Sequence, residues 1–269
     1  MPSAPALRAT FAELHHRPQV LLMANPWDLG SALLLQHAGF EALATTSAGF
    51  AWSRGRDDYG VTRDELVAHV AELTAALRVP LNVDSERCFA DDLDGVVETV
   101  RMLHDAGAAG CSIEDWNDAT GAIDPVGLAA QRVAAAAAAA HRDDDRLVVT
   151  ARCENFLHGV SDLDDTIARL VAYRDAGADC VYAPGLTTSE QVRAVVEAVG
   201  VPVNVLARPN GPSVAQLGAA GARRVSVGGA LASAAYGALM VGARELLTTG
   251  TSGYLATALH ADDRAALRR

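Results

Sequence analysis

The chain repeats one short pattern, an Ala-Gly pair placed directly before an apolar run. The four copies are Ala38-Gly39, Ala106-Gly107, Ala176-Gly177 and Ala220-Gly221. Glycine is favoured just past the end of a helix because it adopts the left-handed backbone conformation without strain. Each pair therefore predicts the end of a helix followed by the start of a strand.

Apolar runs and helical patterns alternate along the chain. A capping box at Thr62–Glu65 predicts a helix that continues to about Leu77, and residues 92–103 and 163–173 carry apolar side chains at helical spacing. Eight runs predict strands: Val20–Ala24, Ala42–Thr46, Leu81–Asp84, Cys111–Glu114, Leu147–Ala151, Cys180–Ala183, Val203–Leu206 and Arg224–Val227.

Eight strands that alternate with helices favour parallel pairing with right-handed crossovers. An α/β chain of this kind forms either a closed (β/α)8 TIM barrel or an open, doubly wound sheet. No GxGxxG motif follows the first strand, so the barrel is the preferred prediction. The chain has 269 residues and no linker or shift in composition. Residues 1–269 are therefore predicted to form a single barrel domain, with a C-terminal helical extension at about 231–269.

Charge and composition exclude several classes of protein. The formal net charge is −11 and the sequence pI is about 5.1, whereas nucleic acids and anionic membranes are bound by basic patches. We therefore expect neither as a partner. All 22 basic residues are arginine. Without lysine, the chain cannot perform Schiff-base chemistry, attach pyridoxal phosphate or form a Walker motif.

The N-terminus and the cysteines predict a cytoplasmic location. The first 18 residues contain no apolar segment typical of a signal peptide, and no apolar tract is long enough to span a bilayer. The four cysteines, Cys88, Cys111, Cys153 and Cys180, form no CxxC pair. Free thiols in a reducing compartment are the simplest interpretation.

Carboxylates follow the apolar runs where a barrel enzyme carries its chemistry. Asp84 and Glu86 follow the third run, and Glu114 ends the fourth. Because the C-terminal ends of barrel strands meet at one rim, these acids would repel one another without a cation between them. In a chain without lysine, Mg²⁺ with oxygen ligands is the preferred counter-charge. The alternative is that Asp84, Asp28 and Asp115 cap the helices that follow their strands.

Arg152 directly follows the fifth apolar run, so it is predicted to reach the same rim. It has two interpretations. It could form a structural salt bridge with Glu154 or Glu114. Alternatively, its planar guanidinium could grip an anionic group of a bound ligand with two hydrogen bonds.

Nine motifs in register with the eight strands resemble those of the phosphoenolpyruvate mutase/isocitrate lyase superfamily. They cover nearly the whole chain: NPWD (25–28), TTSAG (45–49), DDYG (57–60), VDSE (83–86), IED (113–115), TARCEN (150–155), YAPGL (182–186), PVNVLARPNGPSVAQL (202–217) and RVSVGGAL (224–231). The resemblance implies a barrel whose last helix is exchanged with a neighbouring subunit. It also implies Mg²⁺, with Mn²⁺ as a substitute, and 2-oxo acids that pass through a pyruvate-like enolate.

The resemblance assigns roles to single residues. It implies that Asp84 binds the metal directly and that Asp58, Glu86 and Glu114 hold metal-bound waters. An ion chelated by a 2-oxo carboxylate stabilises charge that develops on the keto oxygen, which agrees with this assignment.

Substrate-binding roles follow from the same resemblance. It implies that the turn Thr46-Ser47-Ala48 binds the substrate carboxylate and that Arg152 grips the carboxylate or oxyanion. Asn204, in the seventh strand, is a further candidate for substrate binding because of its position.

The sequence also departs from the superfamily pattern. The lyases carry a Lys-Cys-Gly loop after the fourth strand and the mutases carry a gating lysine, but this chain has WNDATG (116–121). Pro184-Gly185 stands where the lyases place a glutamate. These departures argue against isocitrate or methylisocitrate cleavage and against standard phosphonomutase chemistry. Asp58 and Asn117 remain candidates for a general-base or gating role, and the alternative for both is a solvated loop.

Three functional hypotheses follow. The leading one is a Mg²⁺-dependent lyase or hydrolase that cleaves a C–C or P–C bond of a small 2-oxo acid, like an oxaloacetate decarboxylase or phosphonopyruvate hydrolase. One alternative is a mutase of the phosphoenolpyruvate phosphonomutase or carboxyphosphonate phosphorylmutase type. The other is a protein that binds a 2-oxo acid without turning it over.

The C-terminal extension predicts an assembly. The segment Leu231–Leu247 is apolar on most of its surface, and TTGTSG separates it from a second predicted helix at Tyr254–Leu267. A helix that is apolar nearly all round is buried on more than one side. Exchange of this element between subunits would give a homodimer or a homotetramer. The alternative is that the tail folds back on its own barrel.

Overall fold

The computed structural model describes residues 2–142 and 145–268 of the chain. Eight parallel strands form one sheet in the order β1-β10-β9-β8-β7-β4-β3-β2. Their bounds are β1 Leu21–Met23, β2 Leu43–Ala44, β3 Leu81–Asp84, β4 Gly110–Glu114, β7 Val148–Arg152, β8 Cys180–Tyr182, β9 Val203–Leu206 and β10 Arg224–Ser226. A parallel bridge between Ala24 and Leu43 joins the two edges. The predicted (β/α)8 barrel is therefore confirmed.

Helices surround the barrel and connect its strands. Their bounds are α1 Ala4–Leu14, α2 Leu29–His37, α3 Ser47–Ser53, α4 Arg63–Thr74, α5 Leu93–Asp105, α6 Val126–Ala140, α7 Leu163–Asp175, α8 Ser189–Val199, α9 Val214–Ala219, α10 Ala230–Thr248 and α11 Ala261–Ala265. Among these described residues, no helix is both long and apolar enough to cross a bilayer.

The local signals in the sequence explain several helix boundaries. Thr62 and Glu65 form the predicted capping box at the start of α4. The glycines of the four Ala-Gly pairs adopt positive φ angles between 89° and 105°. That left-handed conformation ends each helix and turns the chain into the next strand.

Three elements were not predicted: α1, α3 and a hairpin after β4. Helix α3 begins within the predicted Thr46-Ser47-Ala48 turn, with Thr46 as its N-cap. The helix α1 precedes the first strand and places Phe11 in a buried cluster with Leu21 and Met23. A short antiparallel hairpin, β5 Trp116–Asn117 and β6 Ala122–Ile123, follows β4. The stretch WNDATG (116–121) forms the first strand and the turn of this hairpin.

The predicted helix Tyr254–Leu267 is wrong. The chain instead forms a 3₁₀ turn, Gly253–Thr257, and the short helix α11. Ala258 and His260 between them are extended. Nearly every residue of this tail is exposed, so little packing supports a longer helix, and an isolated helix of this length is marginal in water.

Strand register sets which side chains point into the barrel. Arg224 pairs with Asn204, Asn204 with Tyr182, Tyr182 with Arg152, and Arg152 with Glu114. Because the strands of a closed barrel tilt, such a row of partners climbs along the barrel axis. Arg224 is the first residue of its strand and Arg152 is the last of its own. The row therefore runs from the interior of the barrel to its rim.

The apolar core lies between the strands and the surrounding helices. It contains the alternate strand residues that face outward, such as Val83, Ile113, Val205 and Val225. All four cysteines are buried and none forms a disulfide, as the sequence predicts. Cys111 lies in this core, pointing away from the polar interior.

Candidate active site

A cavity of about 170 Å³ opens among the loops that follow the barrel strands. It extends from the N-terminus of α3 and the ends of β3 and β7 down to the inward-facing residues of β9 and β10. Its polar lining includes Thr46, Ser47, Asp58, Asp84, Arg152, Tyr182, Asn204, Arg224 and Ser226, and Ala48 lines it as well. The three residues predicted to bind a substrate carboxylate are thus adjacent to the predicted metal ligand.

Arg152 is the centre of charge in the upper part of the cavity. Its guanidinium contacts three carboxylates, those of Asp84 at 2.7 Å, Glu114 at 3.1 Å and Glu154 at 2.8 Å. Burial alone would lower the pKa of Arg152, but these carboxylates raise it well above its usual value. The ring of Tyr182 lies 5.4 Å from the guanidinium carbon and packs beneath the cation. Arg152 is therefore charged and fixed in place.

Asp84 is held by contacts to two other strands. One of its carboxylate oxygens accepts hydrogen bonds from Arg152 and from the Ser112 hydroxyl, and the other accepts from the Ser47 backbone N–H at 3.1 Å. Its own backbone N–H donates to the Thr45 hydroxyl at 2.8 Å. The carboxylate therefore faces the cavity and does not cap the helix that follows.

Asp28 and Asp115 have structural contacts. Asp28 caps α2 and forms a capping box with Ser31, so the alternative interpretation is correct for this residue. Asp115 is buried and accepts hydrogen bonds from Tyr173, Arg169 and the backbone N–H of Glu154. It joins the loops after β4 and β7 to α7.

Three further acids lie around Asp84. Glu114 accepts a hydrogen bond from the Tyr59 hydroxyl at 2.8 Å, and burial raises its pKa well above the ordinary range despite Arg152. Burial raises the pKa of Glu86 to about 8, and the charges of Asp84 and Asp58 add to this effect. Desolvation beside the cavity and the charge of Asp84 raise the pKa of Asp58. The positive charge of Arg152 alone does not balance the negative charge of these acids.

The site fits a divalent cation. Within the described ranges, Oε1 of Glu86 is buried without a hydrogen-bond partner. Arg152 contacts three acids of the site and influences two more, Asp58 and Glu86, through its charge. No group of three described His, Cys, Asp or Glu side chains converges closely enough to bind an ion by itself. Mg²⁺ commonly takes only one or two carboxylates directly and keeps several waters. The arrangement suits an ion held by Asp84 and, through water, by its neighbours.

Asn117 lies in the β5–β6 hairpin, away from Asp84. It lines a neighbouring cavity together with Glu86 and Tyr59. The hairpin is held by Trp116, whose ring stacks on His158 with centroids 3.4 Å apart. His158 therefore has a packing role, and Asn117 lies on the outer side of Glu86.

Of the polar residues named above as lining the cavity, the sequence prediction missed three, Tyr182, Arg224 and Ser226. All three were included only as parts of strands. The strand alternation in Arg224-Val225-Ser226 could have indicated that residues 224 and 226 share one face, since period two places them together. Asn204, which was predicted, lies between Tyr182 and Arg224 in the strand register and accepts a hydrogen bond from Arg224.

Comparisons with known proteins agree with this geometry. The family model described as phosphoenolpyruvate phosphomutase matches residues 11–247. A crystal structure of a provisionally assigned lyase/mutase from Burkholderia cenocepacia J2315 is 47% identical. It covers 99% of this chain and 97% of that one, with a TM-score of 0.94.

Two curated relatives carry named activities. The oxaloacetate decarboxylase of Paraburkholderia xenovorans (strain LB400) is 31% identical over 211 residues, which are 75% of this chain and 69% of that protein. The 2-methylisocitrate lyase of Bacillus subtilis (strain 168) is 30% identical over 209 residues, which are 75% of this chain and 67% of that protein.

Proposed function

The chain belongs to the phosphoenolpyruvate phosphomutase family, within the phosphoenolpyruvate mutase/isocitrate lyase superfamily, and is an enzyme of that lyase and mutase type. On this basis, we propose that it is a Mg²⁺-dependent lyase or hydrolase that cleaves a C–C or P–C bond of a small 2-oxo acid. The observation that carries this proposal is the placement of Arg152 among Asp84, Glu114 and Glu154 in a cavity of small-molecule size.

The metal belongs to the group of acids around Asp84. We assign Asp84 as the direct ligand, with Asp58, Glu86 and Glu114 as acceptors for metal-bound waters. When bound, Mg²⁺ or Mn²⁺ would offset the charge of these acids and, as a Lewis acid, stabilise negative charge on a substrate oxygen.

The protein groups orient the substrate. Arg152 donates to an oxyanion or carboxylate, and its contacts to three acids keep the guanidinium in one position, so little orientational freedom is lost on binding. Thr46 and the first two residues of α3, Ser47 and Ala48, line the cavity beside it and accommodate the carboxylate next to the keto group. Leu157 and Pro184 complete the lining with apolar surface, which limits access of water to the reacting bond.

The loops supply candidates for proton transfer. Asp58 faces the cavity, and its raised pKa is suited to exchanging a proton nearer to neutral pH than a free aspartate. Asn117 has no titratable group, so its proposed role is to gate the outer side of the carboxylates with the β5–β6 hairpin. The absence of lysine from the chain and the likeness to an oxaloacetate decarboxylase favour cleavage over phosphoryl migration.

A substrate screen tests the proposal. Purified protein with Mg²⁺ is incubated with oxaloacetate, phosphonopyruvate, methylisocitrate and alkylmalates, and lactate dehydrogenase reports the pyruvate released. Incubation without enzyme corrects for spontaneous decarboxylation. We expect pyruvate from one of these acids. Binding of an acid by calorimetry without pyruvate from any of them would identify a non-catalytic binding protein instead.

We also propose that the enzyme is a homodimer or homotetramer in which residues 230–267 pack on a neighbouring subunit. Helix α10 leaves Leu239, Val241 and Leu247 exposed to 65%, 62% and 87%. Exposed apolar side chains grouped on one helix are typical of a protein–protein interface. Within the single chain, α11 lies near its own α2, with His37 and Asp263 3.8 Å apart.

Light scattering tests this assembly. We expect a dimer or tetramer at micromolar concentration, and truncation after Thr248 should give insoluble protein or a destabilised monomer. Leu247→Glu should shift the full chain toward monomer, whereas Glu197→Gln, on α8, should not. A monomeric wild type would refute the proposal.

A further inference from the structure

Arg224 is a buried cation whose protein partners are neutral. Its side chain is 2% exposed and lines the main cavity. Its Nε donates to Oδ1 of Asn204 at 3.0 Å, and one terminal nitrogen contacts Nε2 of His15 at 3.2 Å. Across residues 2–142 and 145–268, no carboxylate lies within ion-pair distance of this guanidinium.

His15 does not offset the charge of Arg224. Burial and the positive charge of Arg224 lower the pKa of His15 to about 3, so its imidazole is neutral. Nδ1 of His15 lies 2.7 Å from the carbonyl of Phe11. The proton therefore resides on Nδ1, and Nε2 accepts a hydrogen bond from Arg224.

A buried charge without an ionic partner lowers the stability of the folded protein. Removing a charged group from water without an ionic partner is strongly unfavourable. A guanidinium has five N–H donors, and the two contacts described above use two of them. Donors that remain next to a cavity are available to a ligand, and planar guanidinium groups match the oxygens of carboxylates and phosphonates.

The cavity links Arg224 to the proposed reaction site. Arg224, Asn204 and Ser226 line the same space as Ser47, Asp84 and Arg152. The volume of about 170 Å³ corresponds to roughly five or six waters, which suits a small acid. A ligand held by Ser47 and Arg152 at one end can thus extend toward Arg224 at the other.

We propose that Arg224 binds a second anionic group of the substrate, a carboxylate or a phosphonate, and so selects 2-oxo acids with two acid groups over those with one. This inference rests on the proposed function, because it takes the 2-oxo carboxylate to occupy the site of Ser47 and Arg152. Asn204 positions the guanidinium by accepting from its Nε.

Calorimetric titrations in Mg²⁺ test the inference with three probes. Pyruvate carries one acid group, 3,3-difluorooxaloacetate adds a carboxylate, and phosphonopyruvate, titrated at low temperature, adds a phosphonate. We expect wild type to bind at least one diacid tenfold or more tightly than pyruvate. Arg224→Met should bind that diacid at least tenfold more weakly than wild type does, and its affinity for pyruvate should change by less than twofold. The diacid that loses affinity identifies the second group.

Two further variants complete the test. Arg223→Met is the matched control, because Arg223 is the neighbouring arginine and is exposed, and it should bind all three probes as wild type does. Arg224→Lys keeps the charge but lacks the planar guanidinium. Its affinity should fall about threefold or more for the diacid and should not fall for pyruvate. It provides the same comparison if Arg224→Met fails to fold by circular dichroism.

The outcomes separate the two proposals. Equal losses for pyruvate and the diacids would make Arg224 purely structural, and unchanged affinities would remove it from the site. Either result overturns this inference and leaves the proposed function intact. If wild type binds none of the three acids, both proposals are wrong.

Discussion

Two arginines line one cavity, but only one of them has its charge balanced by carboxylates. At the rim, Arg152 contacts three carboxylates. In the interior, Arg224 has a neutral amide and a neutral imidazole as partners. The rim is rich in acids and needs a further cation, whereas the interior holds a cation that needs an anion. A Mg²⁺ complex of an acidic substrate would supply both, which explains how one cavity can carry two opposite deficits of charge.

The largest expected effect is at the rim. Asp84→Ala should abolish measurable Mg²⁺ binding and lower turnover by about 10³-fold, since stabilisation of developing negative charge contributes on the order of 10²- to 10³-fold per group. The fold should persist because Asp84 lies at the end of its strand. Calorimetry with Mg²⁺ in the presence of oxalate measures the binding, and Asp57→Ala in the exposed loop is the control. Unchanged Mg²⁺ affinity would show that the metal assignment is wrong.

A smaller effect is expected for the rim cation. Arg152→Lys keeps the charge but cannot contact three carboxylates and an oxyanion from one planar group, so oxalate affinity should fall about 30-fold, or about 2 kcal/mol. Arg146→Lys, at an exposed arginine, should bind oxalate as wild type does. Titration of both variants makes the comparison. If Arg152→Lys binds oxalate normally, Arg152 serves only to join the acids.

The smallest effect concerns the interior and depends on pH. The pKa of His15 is about 3 in the folded protein, against 6.5 when unfolded. A lowered folded pKa means that the unfolded chain binds the proton first as pH falls. The contribution of His15 to stability is therefore complete above pH 6.5 and is lost progressively between pH 6.5 and pH 3.

The expected slope is about 1.4 kcal/mol for each pH unit below 6.5, so His15 should account for about 1.4 kcal/mol lost at pH 5.5. Denaturant unfolding at pH 7.5 and pH 5.5 measures the difference. Between the two pH values, the free energy of unfolding of His15→Gln should fall by correspondingly less than that of wild type. The free energy of unfolding of His16→Gln should fall by as much as that of wild type. Equal losses in all three proteins would mean that the interior tolerates a second cation beside Arg224.

Much of the rim could be predicted from the sequence. Asp84, Glu86 and Glu114 each follow a short apolar run, and the C-terminal ends of parallel barrel strands meet on one side. That rule places the three acids together without knowledge of any distance. It does not separate inner from outer positions on a loop, and Asn117, predicted with them, lines the neighbouring cavity with Glu86.

The tail shows the limit of a pattern that needs a partner. The apolar surface of α10 was visible in the sequence, and the helix forms over Ala230–Thr248. The following segment has helical spacing too, but it breaks at Ala258. Helical periodicity becomes a stable helix only where the apolar face is buried, and within this chain that face is largely exposed.

The sequence by itself determined the barrel, its helix ends and the acids at its rim, because local backbone preferences and side-chain periodicity act between residues close in the chain. Only the tertiary structure decided which charges are paired. Arg152 meets Asp84, 68 residues away, and Arg224 meets His15, 209 residues away. Such contacts depend on strand register and barrel closure, in which a shift of one residue would turn Arg224 out of the cavity. That no described carboxylate pairs with Arg224 could not be read from the composition of the chain, since an ion pair depends on positions in space.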